Sequence, residues 1–103
     1  MSVSEEQVET EVKAKGLTAA RVTPAQIDAA IRDEQYHVFA GSCLTVCCLT
    51  LQNGFTVTGE SACVSPENFN EELGRKIAFT HARDKIWALE GYLLRQRLYA
   101  GVQ

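Results

Sequence analysis

Four cysteines (Cys43, Cys47, Cys48 and Cys63) and two histidines (His37 and His81) are the residues of this sequence best equipped for chemistry. The spacing Cys-x3-Cys-Cys-x14-Cys is not a standard zinc pattern. A nucleophilic dyad would need Cys43 or Cys47 exposed beside His37, with Asp33 or Glu34 orienting the imidazole, and nothing in the spacing demands it. The cysteines read as reduced, buried structural thiols, since free cysteine is commonly a small core residue. His81 falls on a polar flank of a helix and reads as solvated.

Phosphate-cradling glycine loops are absent: the chain has neither GxGxxG nor GxxxxGK[ST]. Gly54 and Gly59 belong to a hairpin. Gly91 costs about 1 kcal/mol in a helix relative to alanine, a cost that close packing against another helix or strand would justify. No catalytic residue, metal ligand or cofactor is expected, and the chain reads as a non-enzyme.

Charge is distributed unevenly. Residues 1–34 hold seven acids and four bases, whereas residues 75–97 hold six bases and two acids. Arg75, Lys76, Arg83 and Arg95 therefore form a candidate surface for an anion or an acidic partner. The whole chain carries a net charge of −3 with a pI near 5.3, which argues against an electrostatically driven nucleic-acid binder.

The elements that must position these groups are legible to different degrees. Ser4 and Gln7 have capping-box spacing, Glu5, Glu6 and Glu9 suit a helix N-terminus, and Lys13, Lys15 and Gly16 suit its end. Only Val8 and Val12 give that helix an apolar stripe. Residues 1–22 thus read as a weakly helical arm, and residues 23–103 as a single α+β domain. Thr23-Pro24-Ala25-Gln26 opens a firmer helix, with Ile27, Ala30 and Ile31 on one face, and its pattern dissolves around Gln35 to His37.

A β-hairpin is the strongest local signal. Cys43 to Gln52 and Phe55 to Val64 are β-rich, and Asn53-Gly54 between them favours a two-residue turn. That register pairs Gln52 with Phe55, Cys48 with Gly59 and Leu44 with Cys63. Leu44, Val46, Cys48, Phe55, Val57 and Cys63 then share one face. Cys43, Cys47, Leu49, Leu51, Ala62 and Val64 share the other, so both faces need cover. Cys48 and Cys63, on the same face, are too far out of register for a disulfide.

Ser65-Pro66-Glu67 has the form of a helix start. Phe69, Leu73 and Ile77 make one stripe, and Phe79, Ala82, Ile86, Leu89 and Leu93 a second with 3-4-3-4 spacing. A bend near Gly74 would reconcile the two. The second stripe is a candidate oligomer interface, so a homo-oligomer, a dimer or higher, is expected.

At 103 residues, 46% hydrophobic and 22% charged, the chain has the size and composition of one globular domain. Its first residues lack the basic and apolar regions of a secretory signal, and no run approaches the ~18 apolar residues of a membrane span. Cytoplasmic residence without membrane partners is the expectation.

Several phrases carry a resemblance: Glu34-Gln35-Tyr36, Leu49 to Cys63 (LTLQNGFTVTGESAC), Asn68-Phe69, Gly74 to Ala78 (GRKIA) and Ile86 to Leu94 (IWALEGYLL). Over residues 23 to 98 the chain resembles the gene forty-nine/gene sixty-six family of small tailed-phage and prophage proteins. Ala88 departs from the proline expected there. The resemblance implies a phage product acting in the infected host's cytoplasm, and it brings no catalytic residue with it. Together these readings lead to a non-catalytic accessory protein that binds a host protein, as inhibitor or adaptor. The alternative is a sponge for a small anionic ligand such as a signalling nucleotide, an anti-defence role. Virion-structural, nucleic-acid-binding and Cys/His-enzyme roles rank below both.

Overall fold

In the computed structural model, which describes residues 4–17 and 19–101, both N-terminal helices begin where their capping signals lie. Helix α1 (Glu5–Ala14) has a full capping box: the Gln7 amide donates to Ser4 Oγ at 3.1 Å and the Ser4 amide to Gln7 Oε1 at 3.2 Å. None of its residues is buried, as two valines would suggest. Helix α2 (Pro24–Ala30) is capped in the same way by Thr23 and Gln26, and it buries Ile27 completely.

The chain then departs from the helical pattern sooner than its apolar spacing implies. Ile31 takes extended dihedrals (φ −83°, ψ 121°) and opens strand β1 (Ile31–Val38). The charged sequence Ile31-Arg-Asp-Glu-Gln-Tyr-His-Val has little intrinsic strand character. It is an edge strand, where charged side chains guard an open rim, and its conformation comes from pairing with its neighbour. Strands β2 (Leu44–Leu51) and β3 (Thr56–Ala62) complete an antiparallel meander in the order β1-β2-β3.

The turn after β2 corrects the expected register by one residue. Gly54 sits at φ 91°, its amide donates to the Leu51 carbonyl at 2.9 Å, and the Leu51 amide donates to the Phe55 carbonyl at 2.8 Å. The loop is thus Gln52-Asn53-Gly54, three residues long, with glycine supplying the left-handed position. Cys47 faces Gly59, Cys48 faces Thr58 and Leu44 faces Ala62. A slip of one residue moves a whole strand's side chains to the other face. Val57 consequently joins Cys47, Leu49 and Leu51 in the core instead of Val46 and Cys48. The outer face mixes Val46 and Cys48 with Thr56, Thr58, Glu60, Gln35 and His37, so one layer of cover suffices.

That cover is helix α3 (Glu71–Tyr99), which runs without interruption through Gly74. Its start also differs from expectation. Ser65 makes no side-chain cap, Pro66–Asn68 form a single 3-10 turn, and Asn70 caps α3 by accepting from the Leu73 amide at 2.8 Å. The buried stripe is Gly74, Ala78, Ala82 and Ile86 at four-residue spacing. Leu73 and Ile77, which the sequence groups with Phe69 as one apolar stripe, are exposed. Small residues win that face because the helix lies directly against β3 at Gly59. Leu49, Ile86 and Ile27, all fully buried, anchor the core, each stabilising the fold by about 1.5–3 kcal/mol through removal from water.

Candidate binding groove

One concave surface of about 820 Å³ is formed where three segments meet: the approach to α2, the β2–β3 turn and the C-terminal half of α3. The turn is tied to the end of α2. The Gln52 amide donates to the Ala30 carbonyl at 3.0 Å, and Gln52 Nε2 to the Ala29 carbonyl at 3.2 Å. Leu51 and Leu89 make the apolar wall, with Phe55 and Tyr92 standing 56% and 71% exposed at the rim. Arg21, Arg97, Glu90, Gln52 and Asn53 supply the polar groups.

Arg21 is held at the mouth by Glu9, with Nη1 to Oε2 at 2.6 Å. This pairing lowers the Glu9 pKa and raises that of Arg21. Among the described residues, Arg97 has no carboxylate within ion-pair distance. An apolar wall flanked by aromatic rings and guanidinium groups can stack a flat ring and pair an anion. The volume lies in the range of small-molecule sites.

The four basic residues singled out from the sequence do not line this groove, nor do they meet elsewhere within the chain. Arg75 pairs with Glu71, one helical turn away, and its guanidinium lies 5.9 Å from the centre of the Tyr36 ring. Lys76 and Arg95 are exposed, and Arg95 is about 30 Å along the helix from Arg75. Arg83 is the hub that fastens both N-terminal helices to α3. Its Nη1 donates to Glu5 Oε2 at 2.5 Å, Nε to Asp28 Oδ1 at 2.8 Å and Nη2 to the Pro24 carbonyl at 3.4 Å. Its side chain is only 13% exposed, and the two carboxylates raise its pKa further.

Of the proposed interface residues, Ala82 and Ile86 are fully buried against the sheet, Phe79 and Leu89 are half-buried, and Leu93 is exposed. Gly91 does not mediate close packing within the chain: a Cβ there meets nothing within 4 Å. His37 lies on the outer sheet face opposite Val46, edge-on to Phe39 at 4.5 Å, away from the buried face that holds Cys47. His81 is not simply solvated, since Nδ1 lies 2.9 Å from the Glu60 carbonyl. Among the described residues no group of three or more His, Cys, Asp or Glu side chains could hold a metal ion, and no helix is long and apolar enough to cross a membrane.

Sequence reasoning counted Arg97 among the basic residues but gave it no place, put Phe55 only on a face of the hairpin, and gave Arg21 and Tyr92 no role. Only the turn at Gln52 and the strand at Ile31 bring these residues together. The structure defines a small α+β protein, a three-stranded meander under one long helix with a groove at one end. Residues 22–98 match the model of the phage protein (N4 Gp49/phage Sf6 gene 66) family, and the chain belongs to that family. Neither a curated protein nor a solved structure gives a significant match.

Proposed function

We propose that this phage protein acts without catalysis, in the cytoplasm of the infected host, by sequestering a small anionic ligand that carries a flat aromatic group. A signalling nucleotide is the fitting class. The observation that carries this reading is the groove itself, of small-molecule volume, with Tyr92 and Phe55 at its rim and Arg97 in its wall. Gln52 and Asn53 offer amide donors and acceptors to a ring edge, and Glu90 can accept from an amino or hydroxyl group. Isothermal titration against a panel of mono-, di- and cyclic nucleotides tests it. At least one should bind with micromolar or tighter affinity and be recovered chemically unchanged. Tyr92→Ala and Arg97→Ala should each weaken binding about tenfold or more. Absence of binding across the panel defeats the reading, and conversion of the ligand replaces it with an enzyme.

A host-protein partner is the second reading. Tyr92, Leu93 and Tyr99 leave an exposed apolar surface at the end of α3, beside the groove. A host protein retained by the wild type and lost on Leu93→Glu, with nucleotide binding absent, would favour it.

A further inference from the structure

The corrected hairpin register brings two cysteines together. Leu44 pairs with Ala62 at the open end of the hairpin, and the same register continued one residue beyond the two strands sets Cys43 against Cys63. Opposite residues of an antiparallel pair share a face, with Cα atoms roughly 4.5–5.5 Å apart. A disulfide spans Cα separations of roughly 4.4–6.8 Å. Both thiols are free and half-buried, so a small reagent can reach them. The other two have no such partner: Cys47 lies between Tyr36 and Gly59, and Cys48 between Gln35 and Thr58.

We propose that Cys43 and Cys63 are a redox pair that closes to a cross-strand disulfide by exchange with a low-molecular-weight disulfide of the oxidised-glutathione class. One cysteine thiolate attacks a sulfur of the small disulfide, forming a mixed disulfide and expelling one small thiolate, which takes up a proton. The second cysteine, losing its proton, attacks the protein sulfur of that mixed disulfide and expels the other small thiol. Two protein thiols become one disulfide, and the small disulfide is reduced to two thiols. The neighbouring Cys63 thiol raises the Cys43 pKa, followed in effect by partial burial and the Glu67 charge. A raised pKa leaves less Cys43 thiolate at neutral pH, which slows its attack on the small disulfide. Closure fastens the mouth of the hairpin and the segment 64–70 that leads into α3.

The test is oxidation of the full-length protein in excess oxidised glutathione, followed by mass spectrometry. The chain should lose two hydrogens and keep two of its four thiols free. After cleavage at Glu60, the peptide carrying Cys63 should stay joined to the one carrying Cys43, with fragmentation placing the link at Cys43. Cys43→Ser and Cys63→Ser should each abolish closure, while Cys48→Ser should not. The melting temperature should rise by about 15 °C, as expected for closing a loop of this length. Four free thiols after oxidation, a glutathione adduct that never closes, a link to Cys47 or Cys48, or a disulfide between chains would each overturn the proposal. Mapping of the wild-type chain decides even where a serine variant fails to fold.

Discussion

Gly59 of β3 and Ala82 of α3 meet backbone to backbone: a Cβ at residue 59 would lie 2.3 Å from the Ala82 amide nitrogen and 2.3 Å from the Ala78 carbonyl oxygen. No side chain can rotate out of such a clash, so helix and strand must separate. Gly59→Ala should therefore destabilise by about 3 kcal/mol or more, at the upper end for overpacking, since backbone and not side chain must yield. Urea denaturation checks it, and a midpoint within error of wild type would show that α3 does not sit on Gly59.

Gly91 predicts the opposite sign. It lies inside α3, and a Cβ there would meet nothing within 4 Å. Gly91→Ala should stabilise by about 0.5–1 kcal/mol, because alanine loses less backbone freedom on folding and suits a helix. A lowered melting temperature would mean that Gly91 is needed for an approach by another molecule.

The contrast between these glycines marks what the sequence discloses. Both interrupt otherwise regular patterns, and the sequence places Gly59 in the hairpin without disclosing its helix contact, because local propensity sees only the strand it sits in. The caps at Ser4 and Thr23 and the turn glycine at Gly54 are local and were legible. Strand β1 was not, because Arg32, Asp33 and Glu34 have no strand propensity and become extended only by pairing with β2. The groove inherits that blindness: without β1, nothing in the sequence brings Arg21 and Gln52 to the same end as Tyr92. The one-residue turn difference had the widest effect, since it moved Val57 into the core and set Cys43 opposite Cys63.

Trp87 reports on whether α1 is docked. Its Nε1 donates to Glu5 Oε2 at 3.3 Å, the carboxylate oxygen that also accepts from Arg83, and it is the chain's single tryptophan. Helix α1 buries no residue of its own, so polar contacts through Glu5 and Glu9 hold it. Glu5→Ala should shift Trp87 emission and cost about 1–2 kcal/mol, because it leaves the mostly buried Arg83 guanidinium short of a partner. High salt should move the wild-type emission in the same direction but less far. An emission spectrum indifferent to both would mean that α1 is undocked in solution.

Stability should fall at alkaline pH, and Cys47 should account for part of the fall. Burial raises the Cys47 pKa above its ordinary value of 9.0, and burial likewise raises that of Tyr36, the residue opposite it. Both groups are acids that the fold holds in the neutral form. The stability they contribute is fully present below about pH 9, where folded and unfolded chains are both protonated. It is lost as pH rises through the folded-state values, because the unfolded chain releases its protons first. Denaturation at pH 7, 9 and 10 should show the decline, and Cys47→Ala should make it shallower. An identical slope in the variant would remove Cys47 from the account.

Self-association is the last expectation, and the structure changes which residues can carry it. The sequence offered Phe79, Ala82, Ile86, Leu89 and Leu93 as one seam, but Ala82 and Ile86 face the sheet and are fully buried within the chain. What stays outside lies further along α3. Tyr92, Leu93, Leu98 and Tyr99 are all exposed, and every described residue beyond Leu94 is exposed. The helix is ~43 Å long and the eight-residue strands ~27 Å, so its last turns have no sheet beneath them. A second copy packed antiparallel against these turns would cover Leu93 and Tyr99 on both chains with one self-complementary surface. Sedimentation at micromolar concentration should then give at least twice 11.4 kDa. Leu93→Glu should lower the mass while leaving the helical content intact, because Leu93 is not part of the core. Ile86→Glu should instead unfold the chain, since a charge there is buried without a partner. A wild-type protein that sediments as a monomer, or a Leu93→Glu variant with unchanged mass, would defeat association through the end of α3.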